Sequence, residues 1–382
     1  MMPEFSDPFI MLRKMIFIKN HKIAKFCDFL IIAIYSSAFC LQIYYLCKNF
    51  SISLLIQYSP TLLCYIFVID AAVLFFYVEK NILEAITYYD EIGWSLSMIP
   101  KDAQTKLRKK CLIINICVSF ILLLILSTLT INLPYFGSQR ELFICIQIYE
   151  EYFGNWAFVP HHFYFGVFPF IYYNSVKMWI SFVYTILEAQ LQFILVEEYL
   201  LESNIINDFK GWKHLHDIRY QQEIGKSLRL CITQHIALKK LVKMIVNITM
   251  AAMPSFLVLG VLLLISSFAF ILNFADTMTN ILKIRVLMFV ACIVCITTLL
   301  CWTGQQVIET TSDLFDSLVG APWYLWNREN IQIFLMFLVN CTKNESLVLA
   351  GICLDYRLFV SMLRISVSYA LVLFNLRKSS IT

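Results

Sequence analysis

Charge is scarce in this sequence: Asp, Glu, Lys and Arg make up 15% of its 382 residues, where a soluble domain carries about 25%. Hydrophobic residues reach 60% and the mean hydropathy is +0.72, more apolar surface than one globular core hides. Glycine and proline are scarce too, at 10 and 9 residues. That excludes fibrous and loop-rich classes, and glycines so scattered cannot form a phosphate-cradling loop. The zinc-protease HExxH, the Walker A loop, GxSxG and the dinucleotide-binding glycine fingerprint are all absent. An enzyme is therefore not expected, and no motif asks for a cofactor. A net charge of +4 is too small to point to nucleic acid.

Cysteine is not scarce, at 13 residues, yet most of them (Cys64, Cys117, Cys292, Cys295, Cys301) sit inside apolar runs and read as small hydrophobes, not as a disulfide framework. Cys292 and Cys295 have a CxxC spacing but lack a second ligand pair, and the adjacent His161 and His162 project differently, so no metal site is expected. Five basic residues in the first 26 positions, with no small-residue cleavage site after a short apolar core, read as a cytoplasmic arm and not as a removable signal peptide.

What is present is long apolar runs. A window of about 20 residues, enough to cross the hydrocarbon, predicts spans near 29–47, 54–78, 111–133, 175–196, 247–273 and 286–304. A seventh, 354–376, is interrupted by Arg357 and Arg364 and is expected to face protein or water instead of lipid. The predicted class is an all-α membrane protein with seven transmembrane helices. Residues 1–304 form a six-helix membrane domain, and 305–382 an anchor segment plus the seventh helix.

Basic residues set the orientation. With the N-terminus cytoplasmic, 21 of them fall inside and six outside, so the positive-inside rule predicts an extracellular C-terminus. That is opposite to a G-protein-coupled receptor, which also expects an NPxxY-type motif that span seven lacks. Of four glycosylation sequons, at Asn49, Asn247, Asn340 and Asn344, only Asn49 falls outside, close to the bilayer. No internal repeat is evident, which argues against an inverted-repeat transporter.

Two connections are long. Segment 134–176 holds 15 aromatic residues in 43. It reads either as a lid over an apolar ligand site or as an interfacial aromatic belt. The inner segment, about 197–246, contains Leu228, Cys231, His235, Leu238, Val242 and Ile245 at alternating spacings of three and four, a heptad-like seam for packing outside the bilayer. His235 on that seam reads as a hydrogen-bonded core histidine. Asp70 and Glu188 lie at membrane depth on different spans, too isolated for a proton relay.

Span seven is the most informative. At 100° per residue, Ser361, Ile365, Ser368 and Leu376 fall within about 40° of Val372, with Asn375 beside them. A small and polar stripe ending in an apolar constriction suits a channel gate. A packed helix interface fits the same pattern.

Four stretches carry a family resemblance: Trp323-Tyr324; Leu354-Asp355-Tyr356-Arg357-Leu358-Phe359-Val360-Ser361-Met362-Leu363; Ser368-Tyr369-Ala370-Leu371-Val372-Leu373; and Leu228-Arg229-Leu230-Cys231-Ile232-Thr233-Gln234-His235. Together they resemble the closing signature and the "LxxCIxxH" segment of insect odorant receptors. Length, seven spans and an inside N-terminus fit along nearly the whole chain. The stretch from Gly351 to Phe359 departs from the pattern, being about two residues short of the family's spacing.

The resemblance implies an odorant-tuned subunit of a ligand-gated, non-selective cation channel in the plasma membrane of sensory neurons, assembled as a heterotetramer with co-receptor subunits. It implies a pore narrowed by Val372 and Leu376, with Asn375 where the family has Gln. For the outer ligand pocket it implies Tyr58, Leu62, Tyr65 and Ile69; Leu124, Ser127, Thr128 and Ile131; Met178, Ser181, Phe182 and Thr185; and Phe268, Met288, Ala291 and Cys295. The expected ligand is a small apolar volatile. A gustatory receptor channel is the alternative, whose last span usually ends in a Gln-Phe-like pair where this chain has Asn375-Leu376. About 50 residues between spans four and five, with no long insertion, favour the tuning subunit over the co-receptor.

Overall fold

The computed structural model describes residues 7–16, 22–134, 136, 140–205, 217–343, 345–349 and 352–381. The Asn344 sequon and positions 206–216 of the predicted inner segment lie outside them. Ten α-helices follow one another: α1 (Ile10–Ile16), α2 (Lys22–Lys48), α3 (Ile52–Ile92), α4 (Lys101–Ile131), α5 (Ile144–Phe153), α6 (Phe158–Ile205), α7 (Ile218–Phe274), α8 (Asn280–Val319), α9 (Arg328–Cys341) and α10 (Tyr356–Ile381). Several start at the side-chain caps that relieve unpaired first-turn N–H groups. Ser51 accepts from Leu54 N–H, Asp217 from Arg219 and Tyr220, Thr279 from Leu282, and Asn327 from Asn330.

Seven of these helices are long and apolar enough to cross a membrane, and they coincide with the seven predicted spans. The four longest, α3, α6, α7 and α8, overrun the bilayer farthest. At about 1.5 Å per residue, the 57 residues of α7 reach about 85 Å, against a hydrocarbon core of about 30 Å. The surplus turns of α3, α6, α7 and α8 pack with α1 and α9 into a helical anchor at one end of the bundle.

The six seam residues of α7, Leu228 to Ile245, are all buried there. Within this chain the predicted packing is met by α9, which lays Phe337 and Cys341 against His235 on the same face. His235 has its Nε2 3.5 Å from Cys341 Sγ and its ring edge-on to Phe193 and Phe337. Burial pushes the Cys341 thiol up to about 12.

Polar ties fix the anchor's register. Asn330 Nδ2 donates to the Gln221 carbonyl (2.8 Å) and to its Oε1 (3.0 Å), while Gln221 Nε2 donates to the Leu325 carbonyl (2.9 Å). Gly225 makes room for this, since a Cβ there would stand 2.8 Å from Asn330 Oδ1. On α1, Arg13 grips Asp90 of α3 through both terminal nitrogens, at 2.8 and 2.6 Å, and this bond raises the guanidinium's already high pKa.

After α9 the chain forms a two-residue antiparallel pair, β1 (Val348–Leu349) with β2 (Ile352–Cys353). Leu354 then crosses α8 at Gly304, where any Cβ would overlap the Leu354 carbonyl. This crossing delivers the chain into α10. That helix is buried along a narrow stripe, Met362, Ser366 and Ala370, spaced by four residues, and packs Leu358 and Phe359 half-buried against the core at its start. Most of its other described residues are exposed.

Candidate functional site

At the end of the bundle opposite the anchor, the aromatic segment 134–176 divides its side chains between two roles. Leu142, Phe143, Ile144, Cys145, Ile148 and Tyr149 are buried against α2 and α3, whereas Tyr152, Phe153, Trp156, Phe158 and Phe163 are exposed. The first set forms a lid, and the second leaves a band of exposed aromatic rings beside it. Gly154 makes the turn between α5 and α6 with φ +50°, the left-handed region that glycine tolerates.

Side chains of α3 hold the lid by its backbone. Tyr58 OH donates to the Arg140 carbonyl (3.0 Å), Thr61 Oγ1 to that of Leu142 (2.8 Å) and Gln57 Nε2 to that of Glu141 (3.4 Å). Gln147 Nε2 in turn donates to Tyr58 OH (2.7 Å). Pro60, inside α3, lacks the N–H that would pair the Ile56 carbonyl, and Ser59 Oγ supplies that bond at 3.2 Å.

Beneath the lid lie two chambers. The lid chamber is walled by α2 (Tyr35), α3 (Thr61, Tyr65), the lid residues Leu142 and Phe143, α6 (Phe168, Ile171), α7 (Ser267, Phe270) and α8 (Arg285, Val286). One to two turns toward the anchor, the deep chamber is walled by Phe67, Ile125, Thr128, Val176, Trp179, Phe256, Gly260 and Ile293. Cys64, Val68, Tyr172 and Phe289 border both, so they form the partition. Across it, Cys64 Sγ and Tyr172 OH are 3.7 Å apart.

The space open to the centre of a water molecule is about 50 Å³ in the lid chamber and about 90 Å³ in the deep one. On that measure one water needs roughly 10–15 Å³, so the two together take roughly ten heavy atoms. Both walls are largely apolar, as small-molecule sites are.

Polar groups converge on the lid chamber. Arg285 is 2% exposed, donating from Nε to the Ile131 carbonyl (3.1 Å) and from a terminal nitrogen to that of Phe136. It thereby caps the C-terminal end of α4, where the helix dipole favours a cation. Asn132 Nδ2 closes the same end on the Thr128 carbonyl (2.8 Å). The rings of Tyr35, Tyr65 and Tyr164 cluster with centroids 5.0 to 6.2 Å apart. Tyr35 OH donates to the Tyr164 carbonyl (3.1 Å). The hydroxyls of Tyr65 and Tyr164 are buried with no hydrogen-bond partner among the described residues.

Of the sixteen pocket candidates from the sequence, Tyr65 lines the lid chamber and Thr128 the deep one. Tyr58 and Leu62 pack one face away, against Ile144 and Ile148. Met178, Ser181, Phe182 and Thr185 are buried in the bundle, with Ser181 and Thr185 bonded to helix carbonyls. Ile69, Leu124, Ser127, Ile131, Phe268, Met288, Ala291 and Cys295 are partly buried and line neither chamber. On several helices a neighbour one to three positions away takes the place instead: Phe289 for Met288, Cys292 for Cys295, Ser267 for Phe268. Arg285 and the lid residues Leu142 and Phe143 were missed. A basic residue reads as loop, and nothing in the lid's sequence says which aromatic turns inward.

The six pore candidates, Ser361, Ile365, Ser368, Val372, Asn375 and Leu376, are all exposed on α10. Arg364 is exposed as well, and among the described residues it pairs with neither Asp70 nor Glu188. Glu188 is buried near Asp7 and Tyr89. No cluster of His, Cys, Asp or Glu able to hold a metal occurs among the described residues, and the described cysteines are free.

No known family model matches the sequence, and no curated protein does either. The fold does match solved structures. The insect olfactory receptor OR5 from Machilis hrabei superposes with a TM-score of 0.70 at 12% identity, over 90% of this chain and 87% of that one. The same receptor in complex with eugenol gives a TM-score of 0.62 at 13% identity, over 91% and 88%. The chain has the fold of an insect olfactory receptor.

Proposed function

We propose that this chain is an odorant receptor subunit: a small volatile ligand enters the paired chambers under the lid and opens a cation pore lined in part by α10. The observation that carries the reading is a closed apolar site of roughly ten-atom capacity beneath the lid, in a fold shared with a receptor solved with eugenol. That ligand belongs to the other protein. What supports a comparable use here is that this chain's own chambers are largely apolar with a few hydrogen-bonding groups.

The seventh helix supports the channel half of the reading. A helix buried in its own subunit along one narrow stripe, with most of its other residues exposed, needs neighbours in an assembly. Around a central axis, Val372 and Leu376 would form the constriction and Asn375 a polar ring beside it. Co-receptor subunits supply the rest of that ring in a heterotetramer at the plasma membrane of sensory neurons. The N-terminus and the anchor are cytoplasmic, and the lid faces outward, where odorant arrives.

The test is whole-cell current from cells co-expressing this chain with a co-receptor, challenged with a panel of volatile esters, ketones, alcohols and hydrocarbons. A ligand-evoked cation current that needs both subunits supports the reading. Surface expression without current to any volatile overturns it. A glycosylation tag placed after Thr382 is modified if the C-terminus is extracellular and unmodified if the orientation is reversed.

A further inference from the structure

Resting on that reading, we infer that the site selects an elongated ligand with an uncharged hydrogen-bond-accepting head, such as an ester or ketone, seated on the Tyr65 hydroxyl, and an apolar tail in the deep chamber.

Three observations lead there. Tyr65 is 6% exposed, lines the lid chamber, and its hydroxyl has no partner among the described residues. A buried donor left unpaired is costly, and a ligand oxygen that accepts from it recovers the bond. The other side-chain donors of that chamber are committed to the protein. Arg285 caps α4, Asn132 Nδ2 bonds the Thr128 carbonyl, Ser267 bonds that of Leu263, Thr61 holds the lid, Tyr35 bonds the Tyr164 carbonyl, and the Tyr172 hydroxyl faces Cys64. The Tyr65 hydroxyl is thus the donor left for a ligand, which favours a carbonyl over a hydrocarbon.

Size sets the second half. The lid chamber, at about 50 Å³, takes roughly four heavy atoms, enough for a head group but not for a whole volatile. The larger deep chamber is almost wholly apolar, with Phe67, Trp179, Phe256 and Ile296 on its walls. The tail passes the partition between Val68 and Phe289, displacing the Cys64 to Tyr172 contact. A carboxylate head would have to give up its hydration in a largely apolar chamber and compete with the carbonyls that hold the Arg285 guanidinium.

The test compares hexyl acetate with decane, matched in heavy-atom count, on the co-expressed channel. The expected result is half-maximal activation at about tenfold lower concentration for the ester, the worth of one good hydrogen bond. Tyr65→Phe, which removes only an unpartnered hydroxyl, should erase that preference while leaving the response to decane. A second variant, Ile293→Trp, fills the deep chamber and should raise the half-maximal concentration of hexyl acetate far more than that of ethyl acetate, which overruns the lid chamber by only about two heavy atoms. Equal sensitivity to ester and alkane, or a preference that survives in Tyr65→Phe, overturns the inference and leaves the receptor reading standing. If no volatile of any class evokes current from surface-expressed channels, the receptor reading itself fails and this inference falls with it.

Discussion

Gly260 of α7 and Met362 of α10 meet directly behind the deep chamber: a Cβ on Gly260 would stand 3.6 Å from Met362 Cε. Gly260 also lines that chamber. Met362 belongs to the stripe by which the seventh helix is held. In the proposed receptor, a ligand that fills the chamber pushes on Met362, by which α10 is fastened, with one glycine between them.

Met362→Ala should loosen this link. Ligand should still bind, while the maximal evoked current falls several-fold, because a contact shared between two states of α10 has been removed. Dose-response curves on the co-expressed channel check this, with a reduced plateau as the expected result. A change confined to the half-maximal concentration would place the coupling elsewhere.

Gly304→Ala should be more severe. The added methyl overlaps the backbone carbonyl of Leu354, so β2 must lift off α8 and α10 loses its entry point. Overpacking of this kind costs roughly 1–3 kcal/mol. Surface expression should drop sharply, read by labelling of intact cells. Gly166→Ala, where nothing lies within 4 Å of the added methyl, is the control and should express normally.

Arg285→Met keeps an unbranched apolar stem and removes the donors. The carbonyls of Ile131 and Phe136 lose their partners at the end of α4. A buried acceptor left unpaired costs roughly 1–3 kcal/mol. The thermal midpoint of the purified receptor should fall, and the roof of the lid chamber should admit ligands less selectively. An unchanged midpoint would mean that Arg285 does not hold α4.

These sites show how far the sequence could be read. Apolar runs of bilayer length marked all seven spans, because lipid demands them whatever the tertiary packing. The Leu228 to Ile245 seam was equally legible, since three-four spacing can face only one way on a helix. The chamber-facing residues were not. Helices such as α3 and α8 are apolar all round, so Cys64 and Leu62, or Phe289 and Met288, look alike until the packing chooses a face. Arg285 was hidden for a different reason: a cation near a span's end reads as loop, and its role depends on carbonyls about 150 positions away.

The most direct test of the account is cysteine accessibility at Leu376, exposed on α10 four residues beyond Val372. Channels of Leu376→Cys with the co-receptor are opened by ligand and treated from outside with a charged, membrane-impermeant thiol reagent, against the unsubstituted channel as control. If α10 lines the ligand-gated pore, the evoked current is blocked in part, faster in the open state than at rest. A current that keeps its full size and selectivity while surface labelling confirms that the subunit is present would contradict the account.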